Sequence, residues 1–228
     1  MIRAIVTDIE GTTSSIRFVH DVLFPYAAEN LPEFIRTNAD DAEVREQLEA
    51  VAELADLSAT DVEDIIEQLQ TWIREDKKIT PLKDLQGMIW QHGYQQGHFK
   101  GHVYDDAAQS LRAWHEQGIM LYVYSSGSVQ AQKLIFGFTE FGDLTPLFSG
   151  YFDTRIGAKR EESSYREIVT ALEIDAGEIL FLSDICEELD AARAAGMKTC
   201  QLLRPLDASA AGQHPSVNDF SQIDLACF

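Results

Sequence analysis

The chain reads as an α/β protein: a doubly wound, Rossmann-like parallel-sheet core with an all-helical segment inserted after the first strand. Three observations predict this. A short apolar run, residues 2–7, stands alone at the start. A long acidic stretch of helical periodicity follows it. Beyond Gly93, Gly97 and Gly101, strand-like runs alternate with helical patterns, which argues for a parallel sheet covered by helices. The expected division is a core of residues 1–15 and 100–228 around a helical domain of residues 16–99.

Ile2, Ala4, Ile5 and Val6 predict a buried strand, and Gly11, Thr12 and Thr13 the turn after it. In the insertion, Val44, Leu48, Val51 and Ala55 recur at helical spacing. Thr60 and Glu63 read as a capping box ahead of Val62, Ile65, Ile66, Leu69 and Ile73. Thr80 and Pro81 open a further helix that carries Leu82, Leu85 and Ile89. Glu29 to Asp76 holds 15 acids against three basic residues, a charge that suits a solvated helical surface. In the core, strands are expected at Ile119–Tyr124, at Glu178–Leu182 and at Lys198–Leu203, with helices from Val129 and through Ala195.

At 228 residues, 45% hydrophobic, the chain can bury a sizeable core. Its three cysteines, Cys186, Cys200 and Cys227, have no C-x-x-C spacing, so neither a disulfide framework nor a zinc site is indicated and a cytoplasmic setting is expected. The longest apolar run, Ile119–Tyr124, is far too short for a membrane span, and no export signal is evident. With 38 acidic and 18 basic residues the net charge is -20, which disfavours nucleic acid and anionic membranes as partners. An anion site must then be made locally, from a few cations, backbone N–H groups or a metal ion.

Asp8 and Glu10 lie two apart where the first strand ends, so they share a face. At ~4 Å and an effective dielectric near 20, two such carboxylates repel by about 4 kcal/mol, which calls for a cation. Ligands of an open parallel sheet collect beyond the strands' carboxyl ends. There the chain offers Asp8, Glu10 and Thr12, then Ser125, Ser126, Gly127 and Ser128, and later Ser183 and Asp184, with Lys159 between the last two. Each has a plainer reading alone: a solvated edge for the two acids, a helix cap for Ser125–Ser128, a surface lysine for Lys159. Glu188 fits either a supporting acid or a solvated helix residue. His98 and His102 lack a completing carboxylate and Gly97 and Gly101 interrupt any helix between them, so they are not expected to bind metal. Cys186 reads as a buried structural thiol, and Trp72 and Trp90 as core residues.

Taken in order, D-x-[DE]-G-T, a serine, a lysine and an aspartate resemble the haloacid dehalogenase-like superfamily of phosphatases. The segments DIEGTTSSIRFVHDVLFPYAAENL, LQGMIW, VYSSGSVQAQKLIFG, FDTRIGAK and FLSD are similar to the enolase-phosphatase (acireductone synthase) family of methionine salvage, and Glu10 in place of the usual second Asp fits that family. The resemblance implies an enzyme that enolises and dephosphorylates 2,3-diketo-5-methylthiopentyl-1-phosphate to the acireductone. Asp8 would be the nucleophile, forming an aspartyl-phosphate, and Glu10 the general acid and base. Mg²⁺ would sit on the Asp8 carboxylate, the Glu10 main-chain carbonyl and Asp184. Ser125, Ser126 and Lys159 would hold the phosphoryl oxygens. The expected partner is a small phosphorylated metabolite, with the chain acting as a monomer. The rival reading is another small-metabolite phosphatase of the same superfamily; a haloacid dehalogenase is disfavoured by Glu10, since displacing a halide needs neither metal nor leaving-group proton. A receiver-like signalling module is disfavoured by the helical insertion.

Overall fold

The first strand, β1 (Ala4–Thr7), is buried along its whole length and lies at the centre of the sheet. The computed structural model describes residues 1–75, 77–205 and 210–228; Asp76, which closes the acidic stretch, lies outside them. The remaining strands are β2 (Met120–Tyr124), β3 (Phe148–Phe152), β4 (Ile179–Ser183), β5 (Lys198–Leu202) and β6 (Ser216–Val217). They form one sheet in the order β3-β2-β1-β4-β5-β6, and every pairing is parallel.

That order makes β1 the switch point. The chain steps from β1 to β2 and β3 on one side, then continues with β4 and β5 on the other. Thr7 pairs with Val123 and with Leu182, so the segments after β1, β2 and β4 leave the sheet side by side. Crevices of this kind, beyond the carboxyl ends of the strands, are where such sheets bind ligands.

Helices of the core are the short turn α1 (Ile16–Phe18), α6 (Asp105–Glu116), α7 (Val129–Gly137), α8 (Glu162–Leu172) and α9 (Cys186–Ala194). Ala4, Val6, Ile179 and Phe181 on one sheet face pack with Tyr165 and Ile168 of α8 and Leu189 and Ala192 of α9. Ile5, Leu121 and Leu180 alternate to the opposite face and are equally buried. Each such side chain contributes about 1.5–3 kcal/mol by leaving water.

Two compact units are present, Met1–Phe18 with Lys100–Phe228, and Val19–Phe99. The second begins with a π-helical turn, Val19–Leu23, and continues through α2 (Phe24–Asn38), α3 (Ala42–Ala55), α4 (Val62–Arg74) and α5 (Thr80–Gln95). Its core joins Leu31 and Ile35 to Leu48, Leu69, Trp72 and Leu85. Trp90 is only partly buried; its indole N–H donates to the Leu23 carbonyl at 2.7 Å.

Some local expectations shift. Asp61, not Thr60, caps α4, its carboxylate accepting from the Asp64 N–H. Thr60 instead meets the Ser58 hydroxyl, and Glu63 forms a two-pronged pair with Arg36 at 2.7 and 2.8 Å, so the capping box does not form. Strand β3, whose Gly150 packs beneath the Tyr122 ring, has too little apolar alternation to announce itself. Among the described residues, no helix is long and apolar enough to cross a membrane.

Candidate active site

The loop after β1 is folded by its own small residues. Gly11 adopts φ +72°, and the Ile9 carbonyl accepts from the Thr12 and Ser14 N–H groups at 3.2 and 2.9 Å. Thr13 donates its hydroxyl to the Asp8 carbonyl at 3.2 Å. Asp8 itself is tied to β4, its N–H donating to the Leu182 carbonyl at 2.9 Å. The side chain of Asp8 is buried, and Lys159 Nζ lies 2.5 Å from its Oδ1.

Lys159 also meets Glu188 Oε2 at 2.8 Å, and Ser183 donates to that same oxygen at 2.9 Å. The cation the two acids require is thus supplied in part by the protein. Of the three neighbouring cations, only Lys159 turns inward; Arg155 and Arg160 are exposed. Its loop is held by α8: Tyr165 donates to the Lys159 carbonyl at 2.7 Å and Ser164 to the Ala158 carbonyl at 2.7 Å. Tyr124 reaches over from the end of β2 to the Gly157 carbonyl at 3.0 Å.

Glu10 takes a different environment from Asp8. Its Oε2 accepts from the Ser125 hydroxyl at 3.3 Å, and Ser125 in turn accepts from the Gly127 N–H at 3.2 Å. Ser128 caps α7, as a helix-start reading of this run allows, whereas Ser126 is exposed. Burial, and then the negative charge of Asp8, push the Glu10 carboxyl above the ordinary range, although Lys159 and Ser125 pull the other way. Burial likewise lifts Glu188 to about 7, with the Asp8 charge adding to the shift. Lys159 stays charged: burial opposes its ammonium, but Asp8 and Glu188 together raise its pKa.

Asp184 follows β4 and is buried against Gly11. A Cβ at Gly11 would lie 2.5 Å from Asp184 Oδ2, so only glycine lets this carboxylate close on the loop. The Asp184 main chain is fixed by Gln201, whose Nε2 donates to its carbonyl at 2.9 Å. Among the described residues no cluster of three or more His, Cys, Asp or Glu side chains forms a metal cage. The all-oxygen donor set of Asp8, Asp184 and Glu10, with the clearance Gly11 provides, suits a hard divalent ion.

His98 and His102 have separate partners, Tyr26 for the first (2.8 Å) and Ser14 and Ser15 for the second. Cys186 is half-buried rather than buried, with Gln201 Nε2 3.1 Å from its sulfur.

The family described as haloacid dehalogenase-like hydrolase matches residues 2–196. "Enolase-phosphatase E1" of Serratia proteamaculans is 60% identical over 228 residues, spanning 100% of this chain and 99% of its own. The protein of that name from Pseudomonas syringae pv. syringae is 59% identical over 227 residues, with the same shares. The chain belongs to the enolase-phosphatase family. It is a hydrolase, a phosphatase of the haloacid dehalogenase-like group. The crystal structure of the UTR4 protein of Saccharomyces cerevisiae superposes with a TM-score of 0.84 at 32% identity, covering 98% of this chain and 100% of the yeast one.

In this family member the residues that sequence reasoning missed are supports: Tyr124, Ser164, Tyr165, Gln201 and Arg204. Each donates to a main-chain carbonyl, six residues away for Ser164 and Tyr165 and between 17 and 192 residues away for Gln201, Tyr124 and Arg204, which donates to the Thr12 carbonyl.

Proposed function

We propose that this chain is a Mg²⁺-dependent enolase-phosphatase of methionine salvage. It converts 2,3-diketo-5-methylthiopentyl-1-phosphate to the acireductone 1,2-dihydroxy-3-keto-5-methylthiopentene and phosphate, through an aspartyl-phosphate. The observation that carries the chemistry is the contrast between two acids two residues apart. Asp8 forms an ion pair with the buried Lys159, whose Nζ lies 2.5 Å from its Oδ1. Glu10 sits where burial and Asp8 raise its pKa, which favours holding a proton. Two carboxylates set apart in this way divide the roles of nucleophile and acid.

An Asp8 oxygen attacks phosphorus while the bond to the substrate oxygen breaks, and Glu10 protonates that leaving oxygen. Glu10, now anionic, takes a proton from water, whose oxygen attacks the phosphorus of the aspartyl-phosphate. The Asp8 carboxylate is regenerated and phosphate departs. Lys159 uses two of its three N–H donors on Asp8 and Glu188, leaving one for a phosphoryl oxygen. Ser125 and Ser126, with the N–H groups that follow, receive the others. Asp8, Asp184 and the Glu10 carbonyl would hold Mg²⁺, which would supply charge neutralisation for the phosphoryl group and Lewis acidity for the diketone. Residues 16–99 form the cap domain of a monomeric, cytoplasmic enzyme that acts on a small phosphorylated metabolite.

The test is ultraviolet monitoring of the diketone phosphate on mixing with the protein and Mg²⁺, with phosphate assayed in parallel. An enediol chromophore followed by phosphate release is expected. Phosphate release from generic esters with no reaction of the diketone phosphate would overturn the substrate assignment.

A further inference from the structure

Arg204 lies just past β5, far in sequence from the acids, yet it is buried with a full set of partners. Its Nε and Nη2 both donate to one oxygen, the Thr12 carbonyl, at 3.0 and 2.8 Å. Its Nη1 donates to Asp106 Oδ2 at 2.8 Å, which also accepts the Phe220 N–H at 2.8 Å. The guanidinium plane sits 4.1 Å from the centre of the Tyr104 ring. The main chain of Tyr104 completes the grip, its N–H donating to the Thr13 carbonyl at 2.9 Å. Two consecutive carbonyls of the loop that follows Glu10 are therefore held from outside it.

We infer that Arg204 is a positioning residue for the phosphatase reaction: by fixing the Thr12 carbonyl it sets the path of the loop that aims Glu10 at the leaving oxygen. The reading rests on the roles proposed for Asp8 and Glu10. A fork of two donors on one acceptor defines a direction as well as a distance, which an ammonium group cannot do. Gly11 gives the loop conformational freedom, and the loop's own hydrogen bonds fall on the Asp8, Ile9 and Ser14 carbonyls, which leaves the Thr12 carbonyl to Arg204. A brace for the C-terminal segment alone would need only the Asp106 contact, not two donors on Thr12.

The experiment compares Arg204→Lys, Arg204→Gln and Asp106→Asn with the wild type, using an alkyl and an aryl phosphate ester in saturating Mg²⁺. Asp8→Asn is the control. If Arg204 aims Glu10, both Arg204 variants lose kcat with the alkyl ester by about tenfold or more, with little change in KM. The rate of Asp8 phosphorylation, read by rapid quench, falls distinctly less with the aryl ester, whose oxygen leaves without a proton, while turnover, which also needs Glu10 to activate water, falls with both. Asp106→Asn, which leaves the Thr12 contacts in place, keeps the alkyl-to-aryl ratio even if it melts earlier. Equal losses in the rate of Asp8 phosphorylation with both esters, or wild-type kcat in either Arg204 variant, would overturn the inference. So would failure of both Arg204 variants to fold while Asp106→Asn folds, since that result makes Arg204 a brace only. An active Asp8→Asn would overturn the underlying reading instead.

Discussion

Gly11→Ala separates the geometry of the site from the stability of the fold. The new methyl group would sit 2.5 Å from Asp184 Oδ2, where ordinary contact begins at 3.4 Å, an overlap of about 0.9 Å. At φ +72° an alanine also costs about 1–2 kcal/mol relative to an allowed conformation. For a chain of this length that strain lowers the Tm by about 2–8 °C, well short of unfolding. The overlap matters more, because either Asp184 or the Asp8–Glu10 loop must move by nearly an ångström. A displacement of that size takes a carboxylate out of an ion shell with bonds of about 2 Å, and misplacement on that scale costs about 10²-fold in rate. Differential scanning calorimetry, steady-state phosphatase kinetics and calorimetric Mg²⁺ titration measure the three quantities. A Gly11→Ala protein with kcat within about threefold of wild type and unchanged Mg²⁺ affinity would refute the reasoning.

Glu10→Gln keeps the main-chain carbonyl but removes the proton carrier, so turnover should fall by roughly 10² to 10⁴. With an aryl ester, rapid-quench analysis should then find phosphate trapped on Asp8, and a lack of protein-bound phosphate would count against the assignment. Lys159→Met strands two buried acids, and breaking a buried pair of this kind costs about 3–5 kcal/mol. Adding Glu188→Gln should restore part of that in urea unfolding; no restoration would mean Lys159 is balanced elsewhere. His214 is buried between Thr199 and Asp190, and burial, with Arg193 beside it, lowers its pKa below the ordinary 6.5. The unfolded chain then binds the proton first, so this histidine's contribution is present above pH ~6.5 and lost as pH falls below it. His214→Gln should flatten the acid-side decline in urea-derived stability, and an unchanged slope would exclude that role.

The parallel sheet, the helical insertion and the candidate acids were legible because each is a local pattern. Apolar runs ended by glycine and hydroxyl residues mark strand ends, and a parallel sheet brings all such ends to one edge. Strand β3 was not legible, since FSGYF carries a serine and a glycine where apolar residues would mark a face. The α4 cap moved by one residue because Glu63 is engaged by Arg36 across the helices, a contact with no sequence signature.

By itself, the sequence picked out the candidate residues, because Asp8, Glu10, Ser125 and Asp184 follow strand ends that a parallel sheet brings to one edge. Tertiary structure decided which charges are buried and what holds them. Lys159 rather than Arg155 or Arg160 enters the site because Asp8, 151 residues away, and Glu188 offset the cost of desolvating it. Arg204 grips Thr12 from a separation of 192 residues. Burying an ion is costly unless partners are already in place, and those partners come from segments that only the folded sheet brings together.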